Sequence, residues 1–278
     1  MKHVPAVLVG AWLLSASASL AVAQSVPTTQ PGLINIVRED VKLGHAEDHS
    51  KFEAGWPAAY ARSKSPYSYL ALVAITGPAE TWYVTAYASF GGMGEAFKHD
   101  DADAVLTAEL GRLTRGDAAH LNSVRVMQAT ARPDLGYGPF PDLGLVRFFE
   151  VTTFRVRPGF EAGFEAAAKA YAAAARKAGP GANWRAYEIS AGMVGPTFLV
   201  FNTVKTLGEF DVAMKENGAM IAAMTPDEVS AWQKWSREGL ISTETQRFRV
   251  DPGQSYVDQA TKDKDPAFWM PKKSATRP

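Results

Sequence analysis

Phe149-Glu150-Val151-Thr152-Thr153-Phe154-Arg155-Val156-Arg157-Pro158-Gly159-Phe160-Glu161 reads as a strand, a turn and the start of a helix. Residues 149–156 are drawn mainly from aromatic and β-branched types, which fit a pleated, half-buried surface. Arg157-Pro158-Gly159 then breaks the chain, because proline withholds a backbone donor and glycine turns freely. Residues 159–178 set Phe164 and Tyr171 on an alanine-rich background, the strongest helix-forming composition. The same grammar stands 115 residues earlier: that spacing pairs Val41 with Val156, Gly44 with Gly159, Trp56 with Tyr171, Tyr69 with Trp184, Ala71 with Ala186 and Gly77 with Gly192.

Outward from this pair, the first copy runs through a strand at 33–43, a helix at 47–63 with Phe52, Trp56 and Tyr60 at helical spacing, and hairpin strands at 67–76 and 81–90 about Gly77-Pro78. A helical stretch at 93–122 and a strand at 123–131 complete it. The second copy repeats the order: strand 145–156, helix 159–178, hairpin strands 184–190 and 196–204 about residues 192–195, helices 207–224 and 226–240, and strand 245–250. This predicts an α+β chain of two β-α-β-β-α-β repeats, residues 33–131 and 145–251. Residues 132–144 are rich in Pro and Gly and read as a linker, and residues 252–278 read as an extended tail in which Phe268-Trp269-Met270 forms an apolar clip. Each repeat would leave one sheet face uncovered by helices, so two antiparallel sheets are expected to pack face to face with the helices outside.

The strand, Pro-Gly turn and helix start of residues 149–161 resemble those of NIPSNAP-like and antibiotic-biosynthesis-monooxygenase-like domains of the dimeric α/β-barrel superfamily. The resemblance implies tandem ferredoxin-like repeats forming a pseudo-dimeric α/β barrel, with fusion in place of a homodimer. It also implies a menu of uses: cofactor-free oxygenation, haem breakdown, isomerisation and plain ligand binding. Haem-degrading relatives place an Asn on the first strand, a Trp on the third and a His on the following helix, and Asn35, Trp82 and His99 stand in those elements here.

Composition narrows the class. The chain has 278 residues, 46% of them hydrophobic, which excludes a disordered protein. Lys+Arg and Asp+Glu both total 29, so no basic excess exists to neutralise nucleic-acid phosphates. Without cysteine there are no disulfides, thiolate metal sites or Cys nucleophile. No Gly-x-Ser-x-Gly elbow, phosphate loop or dinucleotide fingerprint occurs. Met1-Lys2-His3, an apolar and small-residue run from Val4 to Val22, and Ala21-Val22-Ala23 before Gln24 read as an export signal over residues 1–23. A periplasmic or secreted mature chain follows, and no later stretch is apolar enough to span a membrane.

No cofactor is predicted, with haem or a divalent metal as alternatives. For a metal, His45 and His49 stand four apart at a helix start, a spacing that sets two imidazoles on one face, and a third ligand has to come from elsewhere. Arg155 is a candidate for stabilising negative charge, and Glu39, Asp40, Arg147, Glu150, Tyr187 and Glu188 are the other ionisable residues on predicted strands. Residues 147 and 155 differ in parity from 150, so these three cannot share one strand face. Tyr69, Trp82, Tyr87, Trp184 and Tyr187 lie on the hairpin strands and offer apolar walls with hydroxyl or indole tips. The expectation is an exported protein that binds a small apolar or aromatic molecule in the barrel, with oxygenase-like chemistry as one use. The alternatives are a haem protein, or a non-catalytic interaction module that forms a homo-oligomer.

Overall fold

A computed structural model describes residues 26–179, 181 and 183–271; the export signal and its cleavage point near Ala23 and Gln24 lie outside the described residues. The first half contributes β1 (Leu33–Val41), α1 (Ala46–Glu53), α2 (Gly55–Ser63), β2 (Tyr69–Ala74), β3 (Glu80–Tyr87), α3 (Phe90–Ala102), α4 (Ala104–Asp117) and β4 (Leu121–Ala131). The second contributes β5 (Phe148–Val156), α5 (Glu161–Ala178), β6 (Arg185–Ala191), β7 (Thr197–Val204), α6 (Glu209–Ala222), α7 (Pro226–Glu238) and β8 (Leu240–Val250). Beyond them α8 (Gln259–Lys264) and α9 (Pro266–Trp269) fold where an extended tail was expected.

The strands close into one antiparallel barrel in the order β1-β3-β2-β8-β5-β7-β6-β4. Each half supplies four consecutive strands in the same internal order, β4-β1-β3-β2 and β8-β5-β7-β6. The expected pair of facing sheets is therefore joined at both edges. Leu72 pairs with Val250 where β2 meets β8, and Thr130 pairs with Glu188 where β4 meets β6. Closure satisfies the edge donors and acceptors that two separate sheets would expose.

Alternation along the strands decides what faces inward. Ile34, Ile36, Leu72, Trp82, Met127, Val151, Leu199 and Phe248 fill the barrel as one buried cluster. Arg38 and Glu80 pair within it at 2.5 Å, and Glu80 also accepts from the Trp82 indole at 3.0 Å. The helices cover the outside.

Several boundaries differ from the sequence reading for local reasons. The single helix expected over 47–63 is two, α1 and α2, meeting at Ala54. The stretch 93–122 splits at Asp103, whose carboxylate accepts from the Val105 and Leu106 amides and so starts a new helix. β8 begins at Leu240 rather than at 245, because residues 241–245 are all exposed and so lack the alternation that announces a strand.

Candidate functional site

Two places outside the barrel bring chemistry together. In the second half, the outer faces of β5 and β7 form the floor of a groove walled by α5, α6 and α7, with a volume of about 840 Å³. Strand register sets its floor in rungs. Asn202, Glu150 and Arg247 stand side by side across β7, β5 and β8. Arg247 Nε donates to Glu150 Oε2 at 2.8 Å, Asn202 Nδ2 donates to Glu150 Oε1 at 3.4 Å, and the guanidinium lies 4.7 Å from the Phe210 ring. The next rungs are Thr152 beside Val200, then Phe154 beside Phe198, so the floor runs from polar to apolar. Trp184, Met220 and Trp232 close the apolar side, and the Tyr171 hydroxyl there donates to Asn217. Val212, Met214 and Ile221 of α6 are exposed, and all three line this groove.

The barrel interior is not that kind of space. A pocket of about 80 Å³ there is lined in part by Tyr187, Leu70, Phe149 and Phe201. That is smaller than an apolar cavity of ~150 Å³ known to take up benzene, and the roomier space is the groove outside the barrel.

In the first half the same side of the sheet carries ionisable groups. Glu39 alternates with the inward-facing Ile34, Ile36 and Arg38 and so faces the helices, as does Tyr83 beside the inward Trp82. One turn of α1 brings His49 and Glu53, and the end of α4 brings Asp117. The ligand atoms of Glu39, His49, Glu53 and Asp117 all lie within 4.8 Å of one another. His49 Nδ1 sits 3.1 and 3.0 Å from the two Asp117 oxygens; a carboxylate only accepts, so Nδ1 carries the proton. Nε2 then faces the Tyr83 hydroxyl at 3.4 Å and Glu39 Oε2 at 3.8 Å. Tyr83 in turn donates to Gln254 at 2.9 Å. Burial pushes the Glu39 carboxyl up to about 7 and the Glu53 carboxyl up to about 9, the Glu39 charge adding to the second.

The sequence candidates are dispersed by this arrangement. Helix α1 starts at Ala46, leaving His45 before it in a non-helical conformation, so His45 does not share a face with His49. Its Nδ1 meets His120 Nδ1 at 2.9 Å instead. Asn35 faces the helices while Trp82 is inside the barrel, and His99 pairs with Asp100 at 3.2 Å, so these three do not converge. Arg155 sits in register with Thr197 and Ser242, away from Glu150. Of the aromatic set, Trp184 lines the groove, Tyr187 and Trp82 belong to the barrel core, Tyr87 packs under α3, and Tyr69 packs against Tyr60, Tyr83 and Tyr256. Arg147 pairs with Asp265 at 2.6 Å and stacks over Phe268. Glu39 is the strand acid that reaches the cluster, and Tyr83 is a hairpin-strand aromatic that does so; no local sequence pattern points to Glu53 or Asp117. No histidine follows His120 in the chain, so the groove holds none.

No family model matches the chain, and no curated protein matches it. Among solved structures it is similar to an anthrone oxidase-like protein, with a TM-score of 0.51 at 13% identity over 81% of this chain and 93% of that one. A candidate monooxygenase of Fusobacterium nucleatum subsp. nucleatum gives 0.50 at 8% identity over 78% and 91%. A mutant chlorite dismutase of Candidatus Nitrospira defluvii gives 0.49 at 12% identity over 85% and 96%. At identities this low, what this chain shares with these structures is the fold.

Proposed function

We propose that this protein binds a small, largely apolar or aromatic molecule in the groove between the second-half sheet and α5, α6 and α7, and that the use of this binding is oxygenase-like chemistry. The carrying observation is the groove itself: about 840 Å³ with an apolar floor and side of Phe154, Val200, Trp184 and Met220, a polar rung of Asn202, Glu150 and Arg247, and Glu209, Glu216 and Asn217 on its α6 wall. That size and that ratio of apolar wall to polar handle are those of small-molecule sites. Arg247 is held by Glu150 through Nε, and its remaining donors suit the anionic oxygen of a bound phenolate whose electron-rich ring gives its electrons to dioxygen as the co-reactant. The aromatic class is in line with the anthrone oxidase-like neighbour, whose likeness to this chain is one of fold.

The alternative of an interaction module is disfavoured by α6, whose exposed Val212, Met214 and Ile221 are groove walls rather than a separate face. Haem finds no imidazole or thiolate in the groove. Two wider elements belong to the proposal. The matched strand order of the halves supports an internally duplicated, pseudo-dimeric origin, and the leader ending in Ala21-Val22-Ala23 supports a periplasmic or secreted site of action.

Native mass spectrometry of protein purified from its own host, with a panel of polycyclic phenols tested by thermal shift, examines the central claim. Bound ligand should raise the melting temperature in proportion to the logarithm of its concentration and quench emission from Trp184 and Trp232. Replacing Val200 with Trp fills the floor and should abolish both effects, while Arg247→Ala should weaken phenolate binding by about tenfold to a hundredfold. A panel that moves neither melting temperature nor emission, with no copurified molecule, overturns the proposal.

A further inference from the structure

The two halves solve one packing problem differently. At the 115-residue spacing, Glu39, His49 and Glu53 correspond to Phe154, Phe164 and Ala168. In the second half Phe164 is the centre of an aromatic core, its ring 4.2 Å from Phe198, 5.4 Å from Phe154 and 5.4 Å from Trp235. The fold therefore fills this volume with hydrocarbon where nothing else is asked of it. In the first half the same volume holds an imidazole and three carboxylates.

Those carboxylates are short of positive charge. Among the described residues no Lys or Arg makes an ion pair with Glu39, Glu53 or Asp117, and His49 is the one cationic candidate. Glu39 Oε2 is fully buried and accepts no hydrogen bond. It stands 3.8 Å from His49 Nε2, too long for a hydrogen bond but within the span of two metal–ligand bonds of about 2.0–2.2 Å each. The Tyr69 hydroxyl is a second buried atom without a partner, on a ring 6.1 Å from that of Tyr83.

We infer that His49 Nε2, Glu39 and Glu53 bind a divalent transition-metal ion, with Asp117 as the positioning residue behind the imidazole. Asp117 grips Nδ1–H at 3.0 and 3.1 Å, which fixes the tautomer that presents Nε2 and raises its basicity, the usual arrangement around metal-bound histidine. One imidazole and two carboxylates suit Mn²⁺, Fe²⁺ or Zn²⁺; the set is too nitrogenous and too small for Ca²⁺, which takes six to eight oxygens. This site is separate from the groove and stands whether or not the groove binds a ligand.

The test uses the full mature chain, stripped with a chelator, then loaded with MnCl₂ or ZnCl₂ both in the native state and during refolding, because the site is closed. After desalting, elemental analysis should give about one ion per chain, and the melting temperature should rise with metal, since binding to the native state alone is stabilising. The triple replacement Glu39→Phe, His49→Phe, Glu53→Ala copies the second half and should fold yet bind no ion. Asp117→Asn should keep the stoichiometry and weaken affinity by about tenfold to a hundredfold. The other imidazole pair, His45 and His120, is the control: the double variant His45→Asn, His120→Asn should retain the ion. Wild-type protein that takes up no metal by either route overturns the inference. So does binding that survives in the triple variant, or, should that variant fail to fold, binding that survives unweakened in Glu39→Gln and in His49→Asn.

Discussion

Gly77 and Gly192 occupy the same place in the two hairpins, at φ +79° and +84°, and were readable because a left-handed turn is a local requirement that glycine meets without cost. Their surroundings differ. A side chain at Gly192 would bring its first carbon to 2.0 Å from the Val126 carbonyl oxygen and one at Gly77 to 2.9 Å from the Gln246 side-chain nitrogen, whereas at Gly44, φ +83°, nothing lies within 4 Å. Gly44→Ala should therefore cost only the conformational penalty of about 1–2 kcal/mol. Gly192→Ala should cost that and a shift of β4 besides, more than about 3 kcal/mol in urea unfolding. Equal losses at the two positions would refute this reading of the close approach. The metal-ligand candidates were legible only in part: His49 stood out, but sequence spacing offered His45 as its companion, and the helix begins one residue too late for that. Glu53 stands one turn after His49 on α1, but Asp117 joins them only through the packing of α1 on α4, a contact that no local pattern announces. The one available signal was comparison of the halves, where Phe164 and Ala168 replace His49 and Glu53.

At the level of elements, what was legible is what is written into consecutive residues. Thr225-Pro226-Asp227-Glu228 carries the residues of a helix start, and at the head of α7 the structure has the full capping box, Thr225 accepting from the Glu228 amide and Glu228 accepting from the Thr225 amide. Thr225→Ala should lower stability by about 1 kcal/mol, visible as a small fall in the urea midpoint at constant slope. The C-terminal segment was harder to read, because six- and four-residue helices carry no periodicity. Its anchor is tertiary. Trp269 is buried, its indole N–H donates to the Gly144 carbonyl at 2.9 Å, and it joins the barrel-core cluster. Arg147 holds the approach by pairing with Asp265 and stacking on Phe268. Trp269→Ala should cost about 3–5 kcal/mol, the range for deleting a large buried aromatic. A loss below about 1 kcal/mol would show instead that the segment is a surface appendage.

For the whole molecule, the order of strands within each half followed from the repeat, while the joining of the halves did not: β2–β8 and β4–β6 pair residues far apart in the chain, and sequence alternation specifies which face is apolar without saying which edges meet. Closure makes a strong statement about cooperativity. One half by itself would set Ile34, Ile36, Leu72, Trp82 and Met127 in water on one sheet face and expose two strand edges. Neither condition is met by the helices, which cover the opposite face. Residues 26–135 expressed alone should therefore show no cooperative, concentration-independent melting transition, and residues 136–271 should behave alike. Mixed together, the two fragments should recover a single transition and a particle of the mass of one chain, since all of the lost contacts are non-covalent. A first-half fragment that melts cooperatively as a monomer would mean that its helix-side packing alone outweighs a bare apolar sheet face, and the barrel would then be two domains in contact rather than one core.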